Sequence, residues 1–183
     1  MQGQFTSGAC SIAQKAAVAA VNADPKFNQL KVAVIGDIMI DAYLKGKVNR
    51  ISPEAPVPVI NLSKQEERLG GAANVALNLV SLGAMPIMCS CVGSDDNAKI
   101  LVNLLKNSGI SDEGLVFSSD RMTTVKTRVI GNNQHLLRID SEQTNPINPE
   151  EEDKLIAKVR SLIENGIDVL IFEDYNKGVL TER

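Results

Sequence analysis

The chain has 183 residues, of which 44% are hydrophobic and 22% are charged, so it can bury a core and is not of the disordered class. A formal net charge of -3 and a pI near 5.3 argue against a nucleic-acid or anionic-membrane surface, because both need clustered lysines and arginines. Only 3% of residues are aromatic, which leaves little for a base-stacking surface.

The amino-terminal segment does not have the pattern of a secretory signal. Residues 11–23 read SIAQKAAVAAVNA, but no basic region precedes them and Lys15 interrupts the apolar stretch. Good helix formers fill the segment, so we expect a leading helix within an extension over residues 1–29. No stretch approaches the roughly 20 apolar residues of a membrane span, and we expect a cytoplasmic protein.

The next segments predict alternating strands and helices. The apolar run 31–35 predicts a buried strand that delivers Asp37 at its carboxyl end, where open α/β sheets bind ligands. Residues 57–62 look extended but carry prolines, which confines them to a sheet edge or a flap. Gly70 and Gly71 then open a helix that stops near Gly83, followed by a strand over 86–93 and a helix over 95–109. This alternation favours a parallel sheet.

The pattern changes after residue 120. Two runs with period 2, TTVKTRVI and QHLLRID, flank a Gly-Asn-Asn turn and predict a β-hairpin. A helix from about Glu150 to Asn165 and an apolar strand over 168–174 follow. Cys89 and Cys91 lie two apart in an apolar run, on one face of a strand, and we interpret them as buried reduced thiols rather than metal or redox groups.

The segment from Gly70 to Gly93 resembles a known signature. A glycine pair before a helix lets the backbone approach a ligand closely, although the pair alone is often simple turn geometry. The longer string is similar at each required position to the first signature of the PfkB carbohydrate kinases. Its matching residues are Gly70, Gly71, Ala72, Asn74, Ala76, Gly83 and Gly93.

Further sequence blocks indicate which members of this family the chain resembles most. GDIMIDAY, RISPEAPVPVI, VKTRVI and EDYNKG look like consecutive blocks of bacterial heptose 7-phosphate kinases, and the similarity covers about residues 30–180. The resemblance implies a ribokinase-like α/β fold, with an open, mostly parallel sheet flanked by helices and a small β lid. Residues 30–183 would form the amino-terminal half of the kinase domain, with lid segments at about 44–66 and 121–140 and a homodimer through the lid.

The resemblance also implies sugar-binding residues. Asp41 matches the family's sugar-binding Asp, and a buried carboxylate can accept two adjacent hydroxyls. Asn74 matches a sugar-contacting Asn, although a residue at a helix start can instead bond its own backbone. Asp37 is either a second hydroxyl acceptor or a turn former. Asp174 and Lys177 follow a strand end, where a substrate or magnesium role is expected.

A sugar phosphate would also need a cation. The candidates are Arg68, Lys126, Arg128 and Arg138. Lys126 and Arg128 are two apart and should share one face of a strand, where they would meet a phosphate or form a solvated hairpin surface. His135 is interpreted as a surface residue rather than a base.

The family's second signature, Asp-Thr-x-Gly-Ala-Gly-Asp, does not occur in this sequence. By resemblance it supplies the anion hole and the catalytic base, so we expect no catalytic residue in this chain, and ATP and magnesium to bind the parent enzyme rather than this chain strongly. Three alternatives stay open. They are another PfkB sugar or nucleoside kinase, a noncatalytic sugar-binding or dimerisation module, and, most weakly, a Rossmann dehydrogenase, for which GDIMID has only the first glycine.

Overall fold

The computed structural model describes residues 29–182 as two four-stranded sheets and three helices; the predicted helix over 11–23 lies outside these residues. The strands are β1 Lys31–Gly36, β2 Ile38–Ile51, β3 Pro58–Gly71, β4 Met85–Gly93, β5 Ser111–Ser118, β6 Val125–Gly131, β7 Gln134–Ser141 and β8 Val169–Glu173. The helices are α1 Ala72–Ser81, α2 Asp96–Asn107 and α3 Pro149–Glu164.

The first sheet is entirely parallel, with strand order β5-β4-β1-β8. Alternate side chains of β1 enter two different cores, because successive residues of a strand point to opposite faces. Val32 and Val34 pack with α1 and α2, whereas Ala33 and Ile35 pack with α3. Helices therefore cover both faces, which explains why β1 and β4 are almost continuously apolar. The predicted parallel α/β architecture is confirmed.

The second sheet, which we call the lid sheet, has the order β3-β2-β6-β7. β3 is an edge strand, as its prolines predicted, and Pro58 is its first residue. The strand is much longer than the predicted 57–62, however, and it includes both glycines of the signature. Gly70 and Gly71 therefore end a strand, and α1 begins after them at Ala72.

The predicted hairpin is present as β6 and β7. Asn132 and Asn133 form its two-residue turn, and both have positive φ, of 51° and 63°. A type I′ turn requires this backbone at both central positions, and Asn tolerates it better than most residues. The side chain of Asn132 also accepts a hydrogen bond from Val48 N–H and donates one to the Val48 carbonyl. The turn is thus tied to β2.

Two of the cysteines are buried where the sequence placed them. Cys89 and Cys91 lie on β4 within the core that faces α3. Burial raises the pKa of both thiols to about 12. None of the helices in the described part of the chain is long and apolar enough to cross a membrane.

Because the thiolate is the reactive form, we expect Cys89 and Cys91 to resist iodoacetamide at pH 8 in the folded chain and to react fully in guanidinium chloride. Mass spectrometry of the peptide that carries both residues measures the labelling. Rapid alkylation under native conditions would contradict the buried position of β4.

Candidate functional site

Asp37 lies between β1 and β2 and is only 1% exposed. Its Oδ2 accepts hydrogen bonds from the backbone N–H groups of Tyr175 and Lys177, at 2.9 and 3.0 Å, and its Oδ1 accepts one from Val179 N–H at 3.2 Å. Hydrogen bonds to a charged acceptor are stronger than neutral ones. The carboxylate therefore organises the loop after β8, and these contacts favour the structural interpretation of Asp37 over a hydroxyl acceptor.

The glycine pair lets β3 pass close to two aspartates. The backbone of Gly71 has φ 59° and ψ -137°, and a Cβ there would collide with the Asp37 carbonyl, which accepts a hydrogen bond from Ala72 N–H at 2.9 Å. A Cβ at Gly70 would lie 2.7 Å from Oδ2 of Asp41. Gly71 thus requires glycine for its backbone, whereas a side chain at Gly70 would force the Asp41 carboxylate to shift.

One face of the lid sheet is strongly charged. Directly paired residues of adjacent strands project to the same face, and the register aligns two rows of polar side chains across the four strands. We call this the charged face. It consists of Arg68, Asp41, Lys126 and Asp140 in one row and Glu66, Tyr43, Arg128 and Arg138 in the next. All four cations predicted from the sequence lie on it.

Asp41 is partly buried and is held by one cation. Arg128 Nη1 donates to its Oδ1 at 2.5 Å, and the Arg128 guanidinium lies 5.3 Å from the centre of the Tyr43 ring. Within residues 29–182, Oδ2 of Asp41 accepts no hydrogen bond, so it can accept one from a ligand hydroxyl. Asp41 therefore combines a fixed orientation with a free acceptor.

The loop after β8 adjoins this carboxylate. Burial raises the pKa of Tyr175, and the negative charges of Glu173 and Asp41 raise it further. The loop also meets the charged face through Lys177, which bonds Glu142 beside Lys126, so the two border the same site. The sequence prediction did not include Tyr175. Its only signal was its position in the EDYNKG block.

A second carboxylate connects the lid sheet to the loop. Lys177 Nζ donates to Glu142 Oε1 at 2.8 Å, and Lys126 Nζ lies 3.7 Å from Glu142 Oε2, beyond hydrogen-bond distance. Oε2 is buried and has no hydrogen-bond partner in the described part of the chain. The sequence prediction missed Glu142. Its signal was the period-2 series Arg138, Asp140, Glu142 along β7 and just beyond it.

The remaining predicted residues lie at the margins of the site. Asn74 is exposed at the third position of α1, and its side chain is in no hydrogen bond that the structure shows among residues 29–182. Asp174 is exposed, and its Oδ1 accepts a hydrogen bond from Asn176 N–H. Arg68 and Arg138 are paired with carboxylates of their own strands, Glu66 and Asp140, and His135 is exposed.

The described residues contain no cluster of three or more His, Cys, Asp or Glu side chains that could hold a metal ion. Asp174, which the sequence offered for a substrate or magnesium role, belongs to no such cluster. What the arrangement offers instead is a hydroxyl acceptor, Asp41, beside a group of cations. This combination suits a ligand that carries both hydroxyls and an anionic group.

Comparison with known proteins identifies similar chains. The model of the pfkB family of carbohydrate kinases matches residues 29–178. The bifunctional protein HldE of Helicobacter pylori strain J99 is 46% identical over 150 residues, which cover 82% of this chain and 32% of that protein. HldE of Pelobacter propionicus is 44% identical over 158 residues, which cover 85% and 32%. The chain thus spans about a third of the length of these curated relatives.

Among solved structures, a carbohydrate kinase from Agrobacterium tumefaciens aligns with a TM-score of 0.59 at 19% sequence identity. The alignment covers 78% of this chain and 45% of that one. At this identity the likeness shows the shared fold.

We expect Asp37→Asn to lower the free energy of unfolding by about 2 kcal/mol, because an amide replaces a charged acceptor and turns a donor toward backbone N–H groups. Urea unfolding measures the change. Asp174→Asn is the matched control in the same loop, since its carboxylate is exposed and a change within about 0.5 kcal/mol is expected. Equal effects of the two substitutions would show that Asp37 does not organise the loop.

Proposed function

The chain belongs to the pfkB family of carbohydrate kinases, and from this membership we propose that the whole protein phosphorylates the anomeric hydroxyl of a heptose 7-phosphate. The product would be the 1,7-bisphosphate used in ADP-heptose synthesis for the lipopolysaccharide core. The observation that carries the proposal is the charged face, where the free oxygen of Asp41 lies in a row with Lys126 and beside Arg128.

The hydroxyl-binding part of the proposal rests on Asp41. Its ion pair with Arg128 fixes one carboxylate oxygen and leaves the other to accept from the sugar. Gly70 leaves the space beside this second oxygen, since any larger residue would press on it. Asn74, exposed at the start of α1, is the proposed second contact to hydroxyls.

The phosphate-binding part of the proposal rests on a cation of the charged face that is not hydrogen-bonded to a carboxylate. Arg68 and Arg138 already bond carboxylates on their own strands, and Arg128 bonds Asp41. Lys126 makes no hydrogen bond through its ammonium group within residues 29–182, and its nearest carboxylate oxygen is 3.7 Å away. Lys126 is therefore the proposed principal ligand of the 7-phosphate, which a kinase for plain ribose or fructose would not need.

We assign ATP, magnesium and the catalytic base to parts of the family's domain that this sequence does not match. The described residues offer no metal cluster, and the roles proposed for Asp41, Asn74 and Lys126 are confined to binding the sugar phosphate. Under this proposal the 183-residue chain alone turns over no sugar. Another PfkB sugar or nucleoside kinase remains the alternative, and a preference of the whole protein for free ribose or fructose would favour it.

The face of the lid sheet opposite the charged face carries exposed apolar side chains, which support the proposed homodimer. Leu137 and Ile139 of β7 are 56% and 48% exposed, and Leu62 of β3 is 55% exposed. Apolar side chains gathered on one sheet face favour association, whereas scattered ones do not. The same surface would serve a noncatalytic dimerisation module, the other alternative from the sequence.

We expect Asp41→Asn in the full-length protein to lower kcat/KM for the sugar at least tenfold, because loss of a charged acceptor for a hydroxyl costs about 1.5 to 3 kcal/mol. The KM for ATP should not change. Asp112→Asn, which removes a carboxylate paired with Lys106 at the opposite end of the parallel sheet, is the control. Unchanged sugar kinetics in the Asp41 variant would remove this residue from the site.

We expect Lys126→Ala to penalise the phosphorylated sugar at least tenfold more than its dephosphorylated analogue, because only the former presents a dianion. Steady-state kinetics with both sugars measure the ratio. Lys106→Ala, which removes a lysine from a remote ion pair, should leave the ratio unchanged. Equal losses for both sugars would place Lys126 on a solvated surface instead.

A further inference from the structure

Glu142 lies where two cations meet, and neither the signature nor the family match assigns it a role. It follows β7, and its carboxylate lies between Lys126 of the lid sheet and Lys177 of the loop after β8. The three side chains are only 15% to 21% exposed. A partly buried carboxylate with a lysine on either side occupies the kind of space that a phosphate group fills.

The contacts of this carboxylate are incomplete. Oε1 accepts a hydrogen bond from Lys177, but Oε2 is buried without a hydrogen-bond partner in the described residues, and Lys126 stays at 3.7 Å. A buried acceptor without a donor is unfavourable, and most such groups in native proteins are paired. Lys177 retains two further N–H groups and Lys126 retains three, so the pair can donate to an additional anion.

Lys177 is unusually well fixed for a surface loop residue. Its backbone N–H bonds Asp37, and its carbonyl accepts a hydrogen bond from Arg121 at 2.7 Å. Lys126 is placed by the β2–β6 register directly beside Asp41. The fold therefore positions the backbones of both lysines, and only the ends of their side chains depend on the contact with Glu142.

We propose that Lys126 and Lys177 form a phosphate subsite and that the Glu142 carboxylate fills it in the unliganded protein. Glu142 would then determine which anions can bind there. Its negative charge opposes every anion that approaches the two lysines. A small free anion is therefore excluded, whereas a ligand that also bonds Asp41 can displace the carboxylate. The identification of this ligand as a sugar phosphate rests on the proposed function. The proposal that Glu142 fills the subsite does not depend on it.

Whether removal of the Glu142 carboxylate strengthens or weakens phosphate binding depends on the relative size of two opposing contributions. Removing the carboxylate loses one hydrogen bond to Lys177, but it also removes a like charge within a few ångströms of a bound phosphate. Near a protein surface, repulsion at that distance exceeds the energy of a tenfold change in affinity. Glu142→Gln should thus bind phosphate more tightly, whereas a merely structural residue would show no such gain when substituted.

The test is calorimetric titration of the purified chain with inorganic phosphate at pH 8 and constant ionic strength. Glu142→Gln should bind phosphate at least tenfold more tightly than the unsubstituted chain, and adding Lys126→Ala should abolish the gain. Asp112→Asn, from the remote pair with Lys106, should show no gain. No gain in Glu142→Gln, or a gain that survives Lys126→Ala, would overturn the proposal.

Two further arms separate the inference from the proposed function. If Glu142→Gln does not fold, Glu142→Ala replaces it, because it removes the same negative charge and should also bind phosphate more tightly; no gain there overturns the proposal equally. Mannose 6-phosphate and mannose are titrated in parallel. A gain for the sugar phosphate but not for mannose supports both ideas. A gain for inorganic phosphate alone keeps the subsite and refutes its use for a sugar phosphate.

Discussion

The carboxylate of Asp37 is the contact on which the arrangement of the site depends. A charge that is almost completely buried is tolerated only with several donors, and here they come from the backbone of the loop after β8. The Asp37 carbonyl in turn receives the first N–H of α1. One residue thus joins β1, α1 and the loop that carries Lys177. A rearrangement of any of them would leave a buried charge or N–H group unpaired.

The register of the lid sheet is the second constraint. A slip of one residue between β2 and a neighbouring strand would move that strand's charged side chains to the opposite face, away from Asp41. Three features oppose a slip. The Gly46 region is an irregularity in the β2–β3 pairing, the Asn132–Asn133 turn sets the hairpin, and the Asn132 side chain is bonded to Val48. The charged face is therefore a product of backbone pairing as much as of composition.

The sequence predicted local structure well and the site only partly. β1, β4 and the three helices were predictable because their apolar periodicity is strong and glycines or caps mark their ends. β2 and β5 were not predicted: β2 mixes charges and glycine, and β5 begins with polar residues. Asp41 was found only through the family resemblance. Glu142 and Lys177 are 35 residues apart, so their contact depends on tertiary packing that no local pattern encodes.

The distribution of charge makes the proposed anion site compatible with a net charge of -3. On the charged face, Arg68, Arg128 and Arg138 each bond a carboxylate, which cancels most of their long-range field. Lys126 differs, because its nearest carboxylate oxygen is beyond hydrogen-bond distance and that carboxylate is shared with Lys177. Two ammonium groups around one carboxylate leave a net positive charge in a poorly solvated place, where it is least screened. The proposed anion site thus lies at the junction between the two sheets, the same place that the Asp37 contacts hold in position.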